Sequence, residues 1–257
     1  MKRQYRRRVI LETVSQGGQA RVLDLASRLR VSDETIRRDL KDLVAEGLVQ
    51  KIHGGVMAPD TLGEPRFERR MNQEAEAKKA IARTAAAQVR DGDAVLLDTG
   101  STTAYVARAL SGHRNLLVVT NSVDIARTLA TRNGNRVYMA GGELRADDGA
   151  ALGVVAAAFV QQFRVRLCFL SVGAIDLEDG PMVFHLEEAE FSRVAMRRAE
   201  RTILVADHTK FGRRALVSIC PLASVQALIT DEPLRPAFQE RLRRTDASVL
   251  VAERAAA

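Results

Sequence analysis

The amino-acid sequence predicts an α/β protein in which an N-terminal winged helix-turn-helix precedes a doubly wound, mostly parallel α/β domain. Three observations lead to this prediction. Two short amphipathic helical patterns meet at a tight turn near residue 31, the positive charge is concentrated in residues 1–58, and seven short apolar runs alternate with helical stretches from residue 94 onwards. Strands that alternate with helices are typical of a parallel sheet covered on both faces.

The helix-turn-helix is predicted from two apolar stripes, one in residues 22–29 and one in residues 36–44. Each stripe repeats at the i, i+3 or i+4 spacing of an amphipathic helix. Ser32 is the predicted N-cap of the second helix, and Gly47 is predicted to end it. A further helix over residues 4–15 is expected to pack on this pair. Such a helix pair leaves its second helix free to enter a major groove.

A short wing is predicted after the helix pair, because residues 48–52 alternate like a strand and residues 53–55 supply a turn. The predicted DNA contacts on the second helix and the wing are Ser32, Asp33, Thr35, Arg37, Arg38, Lys41, Lys51 and His53. The N-terminal candidates for phosphate contacts are Arg3, Arg6, Arg7 and Arg8. The alternative for both groups is a charged face that only contacts solvent, as in an ordinary helical hairpin.

The charge balance favours a polyanionic partner for the N-terminal segment. The chain has a net charge of +7, and residues 1–58 contain twelve lysine and arginine residues against seven aspartate and glutamate residues. Concentrated positive charge is the electrostatic requirement for binding nucleic acid. Aromatic residues make up only 4% of the chain and tryptophan is absent, which argues against a stacking platform for single strands.

Composition also limits location and cofactors. The basic N-terminus is followed by no long apolar run, so we expect neither a signal peptide nor a membrane span, and a cytoplasmic location. Cys168 and Cys220 lack paired spacing and are expected to be reduced thiols. The four histidines lack metal-ligand spacing, so we expect no metal and no cofactor.

The predicted domain boundaries follow the composition. Residues 1–58 form the DNA-binding domain, residues 59–75 the linker, and residues 76–257 the α/β domain. Two prolines and a glycine in residues 58–65 mark the linker. The charged, alanine-rich residues 66–90 are predicted to be helical, and to join the domains or to contribute to a dimer.

The predicted strands of the α/β domain are residues 94–97, 116–119, 136–140, 167–172, 202–206, 225–229 and 248–252. The helical stretches between most of them are residues 103–110, 122–130, 154–162, 187–199 and 234–242. In such a sheet, ligands bind at the carboxyl ends of the strands. Polar residues follow five of these strands, which predicts a ligand site there.

The first of these loops, Asp98–Thr103, runs from a strand directly into a helix. Its glycine and its hydroxyl side chains lie beside the free N–H groups of a helix N-terminus, which is a suitable cradle for a phosphate monoester. The alternative is a plain Ser/Thr cap. The candidate residues of this loop and of the later strand ends are Asp98, Gly100, Ser101, Thr102, Thr103, Thr120, Asn121, Gly141, Gly142, Arg145, Asp176 and Lys210.

The segment TIRRDLKDL (35–43), followed by KIHGG (51–55), resembles the DeoR family of bacterial transcriptional regulators, and the resemblance extends over almost the whole chain. The resemblance implies a sensor domain related in fold to ribose-5-phosphate isomerase and a pocket for a phosphorylated sugar or polyol such as glycerol 3-phosphate. The residues that match family motifs are Asp98 with Gly100–Thr103, Thr120 with Asn121, Gly141 with Gly142, Asp207 with Lys210, and Glu187 with Glu188.

By this resemblance, Lys210 is expected to neutralise the phosphate or to bond hydroxyls, while Asp98 and one of Glu187 and Glu188 bind hydroxyl groups. Two segments depart from the family pattern, namely SVGAID (171–176) and PMVFHL (181–186). Both departures would reshape the pocket, so the identity of the effector stays open.

Two other classes of function remain as alternatives. A sugar-phosphate isomerase with an appended DNA-binding domain would need a lysine-rich loop, yet residues 177–186 contain no lysine. A structural nucleoid protein would explain the basic N-terminus but not the polar strand ends. We therefore expect a non-enzymatic regulator, most simply a repressor, that binds double-stranded operator DNA as a homo-oligomer and releases it on binding the effector.

Overall fold

The computed structural model describes residues 3–17, 19–46, 48–52, 54–57 and 64–253 of the chain. Two compact units divide the chain, the first over residues 1–63 and the second over residues 64–257. Three sequence predictions lie outside the described residues: the helix end at Gly47, the wing residue His53, and residues 59–63 of the linker.

In its described residues, the first unit contains three helices and three short strands. In chain order these are α1 (Arg3–Gly17), β1 (Gln19–Arg21), α2 (Val22–Leu29), α3 (Asp33–Ala45), β2 (Gln50–Ile52) and β3 (Gly55–Met57). The strands form an antiparallel sheet in the order β1-β3-β2. The predicted winged helix-turn-helix is confirmed, and Ser32 caps α3 by accepting a hydrogen bond from the Thr35 N–H at 3.3 Å. The strand β1 was not predicted, because three residues carry no periodic signal.

Ion pairs hold α1 against α3. Arg6 donates to the buried carboxylate of Asp39 from Nε at 2.6 Å and from Nη2 at 3.1 Å. Two further pairs join Arg3 to Asp42 and Arg7 to Glu46. These pairs give Arg3, Arg6 and Arg7 a structural role within the first unit, while their contact with DNA phosphates stays a prediction. Each guanidinium is in direct contact with a carboxylate that is more than thirty residues away in the sequence.

The second unit begins with α4 (Phe67–Asn72), α5 (Ala75–Ala86), β4 (Ala94–Leu97), α6 (Ser101–Ala109), β5 (Leu117–Thr120), α7 (Val123–Leu129), β6 (Arg136–Met139), α8 (Gly153–Val160) and β7 (Val165–Ser171). It continues with β8 (Ala174–Asp176), β9 (Gly180–Val183), α9 (Leu186–Arg198), β10 (Ala199–Val205), β11 (Val217–Ser218), β12 (Ala227–Thr230), α10 (Pro236–Arg243) and β13 (Ser248–Val251). The seven predicted strands form one sheet in the order β13-β12-β10-β7-β4-β5-β6. All of its neighbouring strands are parallel, as predicted.

A small antiparallel sheet of β8, β9 and β11 was not predicted. Its strands have two to four residues, and Pro181 interrupts the apolar pattern of β9. Such short strands lack the alternation from which a strand is recognised in a sequence. The sheet connects β7 to α9, so it shapes the surroundings of the end of β7.

The helices α4 and α5 belong to the second compact unit, which starts at Glu64, although the sequence prediction placed residues 64–75 in the linker. The helix α5 buries Ala80, Ile81 and Ala85 in the apolar core. Small alanine side chains let a helix approach its neighbours closely. Residues 75–86 therefore cover the sheet and do not form a free joining helix.

The point where the chain reverses direction across the sheet lies between β4 and β7. From β4 the chain winds outwards through β5 and β6, and after β7 it winds the other way through β10, β12 and β13. Apolar cores pack on the two faces of the sheet. In doubly wound sheets this reversal opens a crevice at the carboxyl ends of the strands, so Asp98 and Ser171, at the ends of β4 and β7, mark where a ligand is expected.

The structure bears on two general expectations, which concern the cysteines and membrane-spanning helices. Cys168 and Cys220 are both free, as predicted. None of the helices in the described part of the chain combines the length and the apolar character that crossing a bilayer requires.

The buried pair between α1 and α3 makes the first unit sensitive to Asp39. The replacement Asp39→Asn should lower the free energy of unfolding by about 1.5–3 kcal/mol, because it weakens hydrogen bonds to a charged partner in a site where the two side chains are 12% and 2% exposed. Urea unfolding of the full chain, followed by circular dichroism, measures the loss. The control Asp42→Asn should cost less, since its partner Arg3 is 56% exposed. Equal losses in the two variants would contradict a special role for the buried pair.

Candidate DNA-binding surface and ligand site

The helix α3 presents a cationic face to solvent. Its apolar residues Ile36, Leu40 and Leu43 are buried in the first unit, which leaves Arg37 and Arg38 on the exposed side. Lys41 on the same helix and Lys51 in β2 are also exposed. The i, i+4 spacing of the buried residues therefore determines which cations face outwards.

These four cations differ from the arginines of α1 in having no internal partner. Among the described residues, no carboxylate lies within ion-pair distance of Arg37, Arg38, Lys41 or Lys51, whereas Arg3, Arg6 and Arg7 are paired with α3. Arg37, Lys41 and Lys51 line a cleft between α3 and the hairpin of β2 and β3. Among the described residues, part of the unneutralised positive charge of the first unit thus lies on the face that the sequence predicted.

Three further predicted DNA contacts lie at the start of α3. Ser32 and Asp33 are exposed, while Thr35 is half-buried. The hydroxyls of Ser32 and Thr35 are 2.9 Å apart and hydrogen-bond to each other. Asp33 lies in the first turn of the helix, where a negative charge is favourable.

A polar cleft lies at the carboxyl ends of β4, β5 and β7, at the reversal point of the sheet. It is lined by Glu64, Arg70, Asp98, Thr99, Asn121, Arg145, Asp148, Leu152, Ser171, Val172, Gly173, Val183, Glu188, Phe191 and Ser192. Four of these residues, Asp98, Asn121, Arg145 and Glu188, were predicted effector contacts. Between these side chains, the volume that the centre of a water molecule can occupy is only about 20 Å³. That is room for about one water.

The carboxylate of Asp98 ties the loop after β4 to the end of β7. Its two oxygens accept hydrogen bonds from the Ser171 N–H at 3.1 and 3.0 Å. Burial raises the pKa of Asp98 well above its usual value, against the opposing effect of these hydrogen bonds. Asp98 therefore holds two strand ends together at the cleft.

The residues after Asp98 are packed closely against β7. A Cβ at Gly100 would lie 1.7 Å from the Ser171 hydroxyl, so the glycine is required by the close packing of two loops. The Thr103 hydroxyl donates to the carbonyl oxygens of Asp98 at 2.9 Å and Gly100 at 3.1 Å. In the described part of the chain, the hydroxyls of Ser101 and Thr102 have no hydrogen-bond partner, and both residues lie in the buried first turn of α6.

Asn121 and Thr120 connect three loops of the cleft. The Asn121 side chain accepts from the Thr99 N–H at 2.9 Å and donates to the Ala151 carbonyl at 3.1 Å. The Thr120 hydroxyl accepts from the Ser122 N–H at 3.1 Å. Both side chains are fully buried, so they align backbone segments around the cleft.

Arg145 lies at the centre of a buried ion-pair network. Its Nε donates to Asp148 Oδ1 at 2.9 Å, and its Nη1 lies 2.5 Å from Glu188 Oε1. Asp148 also accepts from the Thr99 hydroxyl at 3.3 Å. Burial alone would raise the pKa of Asp148, but the hydrogen bond and charge of Arg145 lower it. In turn, the two carboxylates raise the pKa of Arg145 in spite of its burial.

Arg70 is a second buried guanidinium of the cleft, and the sequence prediction missed it. Its Nη1 lies 2.7 Å from Glu64 Oε1, and its Nε donates to the Pro65 carbonyl at 2.9 Å. Its Nη2 is buried and has no hydrogen-bond partner in the described part of the chain, with Asp147 and Asp148 at 3.8 and 3.9 Å. Burial raises the pKa of Glu64, against the attraction of Arg70.

Two lysines flank Asp207 beside this cluster. Lys78, also missed from the sequence, is buried in α5 and donates to the Arg70 carbonyl at 3.0 Å, with Asp207 Oδ2 at 3.7 Å. Burial lowers the pKa of Lys210, although Asp207 and Glu64 attract its ammonium group. Within the described residues, the Lys210 ammonium has no hydrogen bond or ion pair.

Several predicted effector contacts lie apart from the cleft lining. Asp176 accepts hydrogen bonds from the N–H groups of Glu178 at 2.9 Å and Asp179 at 3.1 Å, and it pairs with Arg214 at 3.0 Å. These contacts lower the pKa of Asp176 to about 2. Gly141 and Gly142 are exposed in the loop that leads to Arg145. The predicted residues that do not line the cleft are Gly100, Ser101, Thr102, Thr103, Thr120, Gly141, Gly142, Asp176 and Lys210.

A histidine that follows β10 and two carboxylates that follow β12 lie close together. The ligand atoms of His208, Asp231 and Glu232 lie within 4.8 Å of one another, a spacing that a divalent cation can use. Asp231 accepts from the His208 N–H at 2.7 Å and hydrogen-bonds to His208 Nδ1 at 2.9 Å. These hydrogen bonds explain the arrangement without an ion.

The residues that sequence reasoning missed had weak signals. Asp148 and Arg70 are charged residues in a loop and in a charged helix, where an exposed position is the usual expectation. Lys78 stands beside the exposed Lys79, and only the repeat of alanines around it indicated a buried helix face. Val172, Gly173 and Val183 belong to the two segments that depart from the family pattern, and all three line the cleft.

Comparison with protein families assigns both parts of the chain. Residues 6–61 match the DeoR-like helix-turn-helix domain, and residues 73–232 match the DeoR C terminal sensor domain. The second match covers more than half of the chain.

Curated relatives match over almost their whole length. The chain is 36% identical to the glycerol-3-phosphate regulon repressor of Escherichia coli (strain K12), over 91% of this chain and 92% of that protein. It is also 36% identical to the HTH-type transcriptional repressor CsqR of the same strain, over 94% of this chain and 93% of that protein.

Among solved structures, a ribose-5-phosphate isomerase in complex with phospho-erythronic acid is similar to part of the chain. The identity is 16%, the TM-score is 0.40, and the similarity covers 53% of this chain and 54% of that one. A similarity of this size supports no statement about function.

The contact of His208 with Asp231 should make stability depend on pH. Burial alone would lower the pKa of His208, but the hydrogen bond and charge of Asp231 raise it above 6.5. The protonated imidazole therefore stabilises the fold fully below the unfolded pKa, and this stabilisation is lost as pH rises through the folded pKa. The thermal midpoint of wild type should exceed that of His208→Gln most near pH 5, and less near pH 8.5.

The variant His113→Gln is the control, because in the described residues the ring of His113 hydrogen-bonds to the Val89 carbonyl and to no carboxylate. Its difference from wild type should change less with pH. A difference between wild type and His208→Gln that grows with rising pH would contradict the interpretation.

Proposed function

The chain belongs to the DeoR family of transcriptional regulators, and on that basis we propose that it represses a carbohydrate or polyol catabolism operon. In this proposal α3 and the hairpin of β2 and β3 bind double-stranded operator DNA. A phosphorylated sugar or polyol binds the cleft of the second unit and weakens operator binding. The observation that carries the proposal is the presence of two separate sets of cations. Those on α3 are exposed and have no carboxylate partner among the described residues, whereas Arg70 and Arg145 line the cleft with carboxylates beside them.

The DNA-binding part is supported by charge that the protein leaves unneutralised. Arg37, Arg38, Lys41 and Lys51 are exposed and unpaired among the described residues, while the arginines of α1 are used to hold α3 in place. A recognition helix reads base edges with such side chains, and a wing adds phosphate contacts. We assign Arg38 to a base edge, since it lies on the side of α3 opposite to the buried stripe.

The ligand-binding part is supported by the number of buried cations at one end of the sheet. Arg70 and Arg145 line a cleft at the reversal point, where doubly wound folds bind their ligands, and Lys210 lies nearby, beside Asp207 and Glu64. The first turn of α6, which carries the hydroxyls of Ser101 and Thr102, follows the cleft residues Asp98 and Thr99 in the chain. Guanidinium groups and helix N-termini are well suited to phosphate.

Glycerol 3-phosphate is the first effector to test. The segments AGGELRADDG (140–149) and ADHTKFG (206–212) resemble the glycerol-3-phosphate regulon repressor, to which the chain as a whole is 36% identical. Val172 and Val183 narrow the cleft with apolar side chains. A small phosphorylated polyol suits this cleft better than a large sugar phosphate.

A regulator is favoured over an isomerase with a DNA-binding domain. The relatives that match along their full length are named as repressors. Asp98, the carboxylate best placed to act as a base, already accepts hydrogen bonds from the backbone of Ser171. Proton abstraction would need a carboxylate directed at the substrate.

The structure offers a route by which the cleft can influence the first unit. Glu64 lines the cleft and is the first residue of the second unit. A ligand that changes the position of Glu64 changes the start of the segment that leads to the DNA-binding unit. A homo-oligomer would present paired helices to a symmetric operator, which is the usual arrangement for this class of DNA-binding motif.

The assignment of Arg38 predicts a loss of operator recognition. The replacement Arg38→Ala should weaken binding by about 1–3 kcal/mol and relax the base preference at one position of the site. The measurement uses DNA that the wild-type protein selects from a random pool. The exposed Arg132 of the second unit provides the control, since Arg132→Ala should leave affinity unchanged. Unchanged affinity of Arg38→Ala would remove this residue from the contact surface.

The assignment of Lys210 predicts a loss of the response to ligand with DNA binding retained. The replacement Lys210→Gln removes a charge that has no partner in the described structure, so operator affinity without ligand should match wild type. Glycerol 3-phosphate should then release the variant from DNA only at concentrations at least tenfold higher. DNA-binding titrations with and without the compound measure both properties.

The exposed lysine Lys79, paired with Glu76 on α5, provides a matched control in Lys79→Gln. If operator binding and ligand response fall together in Lys210→Gln, the two units do not have separate tasks and the proposed function is wrong in that respect. If no phosphorylated sugar or polyol in a panel shifts the thermal midpoint of wild type, the ligand assignment fails.

A further inference from the structure

The carboxylates around Arg145 differ in how firmly they are attached to the protein. Asp148 is fully buried, and it accepts hydrogen bonds from Arg145, Thr99 and the Ala150 N–H. Glu188 is 11% exposed, and within the described residues Arg145 is its only ion-pair or hydrogen-bond partner. Asp148 is thus a fixed part of the site, whereas Glu188 is held by one contact.

The same asymmetry is present at Arg70. Its Nε is fixed by the Pro65 carbonyl, and its Nη1 is occupied by Glu64 at 2.7 Å. The remaining Nη2 is buried in the cleft and has no hydrogen-bond partner in the described residues. An unsatisfied buried donor is costly, so this atom indicates a position where an additional acceptor would be favourable.

The cleft has no room for a ligand while Glu188 and Glu64 occupy it. Its open volume of about 20 Å³ holds about one water molecule, which is too small for a phosphoryl group. A ligand can enter only if a side chain leaves. The two candidates are the carboxylates of Glu188 and Glu64, because each is bound to a guanidinium that would gain a phosphate oxygen in exchange.

We propose that Glu188 and Glu64 occupy the anion positions of Arg145 and Arg70 in the unliganded protein, and that the phosphoryl group of the effector binds there by displacing them. Arg70 is then an effector contact, and Glu188 is a competitor of the effector. The inference rests on the proposed function, because it specifies how the same cleft takes a phosphorylated compound.

The phosphoryl group can replace the two carboxylates because it carries a similar charge and binds the same guanidinium groups. A phosphate oxygen accepts from a guanidinium as a carboxylate does, with the same bidentate geometry available. The second negative charge of the phosphate is compensated by Arg70 Nη2, which has no hydrogen-bond partner among the described residues, and by the nearby Lys210. Glu188 lies in the first turn of α9, so its carboxylate stays in a favourable position after it leaves Arg145.

This inference reverses the sign of one expectation from the sequence. If Glu188 bound the hydroxyl groups of the effector, Glu188→Gln would weaken binding. If Glu188 competes with the effector, the neutral amide binds Arg145 less strongly than the carboxylate does, and the effector should bind more tightly. Charge-assisted hydrogen bonds are about twice as strong as neutral ones, so roughly a tenfold gain in affinity is expected.

Isothermal titration calorimetry of the full chain with glycerol 3-phosphate and with inorganic phosphate tests this. Glu188→Gln and Glu64→Gln should each bind more tightly than wild type. The neighbouring exposed carboxylate provides the control, because Glu187→Gln should bind as wild type does. Arg70→Lys, which removes Nη2, should bind at least tenfold more weakly, and a thermal unfolding curve checks that it is folded.

The outcomes separate the inference from the proposed function. Binding by wild type with equal or weaker binding by both glutamine variants would overturn the displacement and leave the proposed function in place. If Glu187→Gln bound the ligand as tightly as Glu188→Gln and Glu64→Gln do, the gain in affinity would come only from the loss of a negative charge on the protein. This result would also overturn the displacement. Absence of binding by wild type and by every variant would overturn the proposed function together with this inference.

Discussion

The parallel pairing of β4 with β7 is the constraint on which the ligand site depends. Because the two strands run in the same direction at the reversal point of the sheet, their carboxyl ends lie side by side. The hydrogen bonds from the Ser171 N–H to Asp98 then join the two ends. Gly100 must lack a side chain for this contact to form. The conformation of the DTGSTT loop (98–103) is thus determined by the packing of these two strand ends.

The two units use positive charge in opposite ways. In the first unit, carboxylates neutralise the arginines of α1 and leave the cations of α3 exposed to a polyanion. In the second unit, carboxylates neutralise buried guanidinium groups inside the cleft. A buried cation without a counter-charge is strongly destabilising. Asp148 and Glu188 neutralise Arg145, and Glu64 neutralises Arg70.

Local sequence patterns predicted the helices and strands, but they did not predict the ion pairs between residues that are far apart in the sequence. The strand runs and the Ser32 cap depend on a few neighbouring residues, and the structure confirms them. The pairing of Arg6 with Asp39 joins residues 33 positions apart, and the register of two helices decides it. Arg70 and Lys78 could not be recognised as buried, because a charged residue in a helix usually faces water. The predicted loops lie at the carboxyl ends of the strands, yet only four of the predicted ligand contacts line the cleft.

A ligand can shift a regulator only by the difference in its affinity for two states. A site that was open and complete in both states would bind the effector without changing operator affinity. In the displacement described above, the ligand-bound state is the one in which Glu64 has left Arg70, and Glu64 begins the second unit. The free energy of breaking this ion pair then contributes both to ligand binding and to the displacement of Glu64 at the start of the second unit. A coupling of about 1–3 kcal/mol is typical of allosteric proteins. In the proposed displacement, breaking the Arg70–Glu64 pair is the step that connects ligand binding to the start of the second unit.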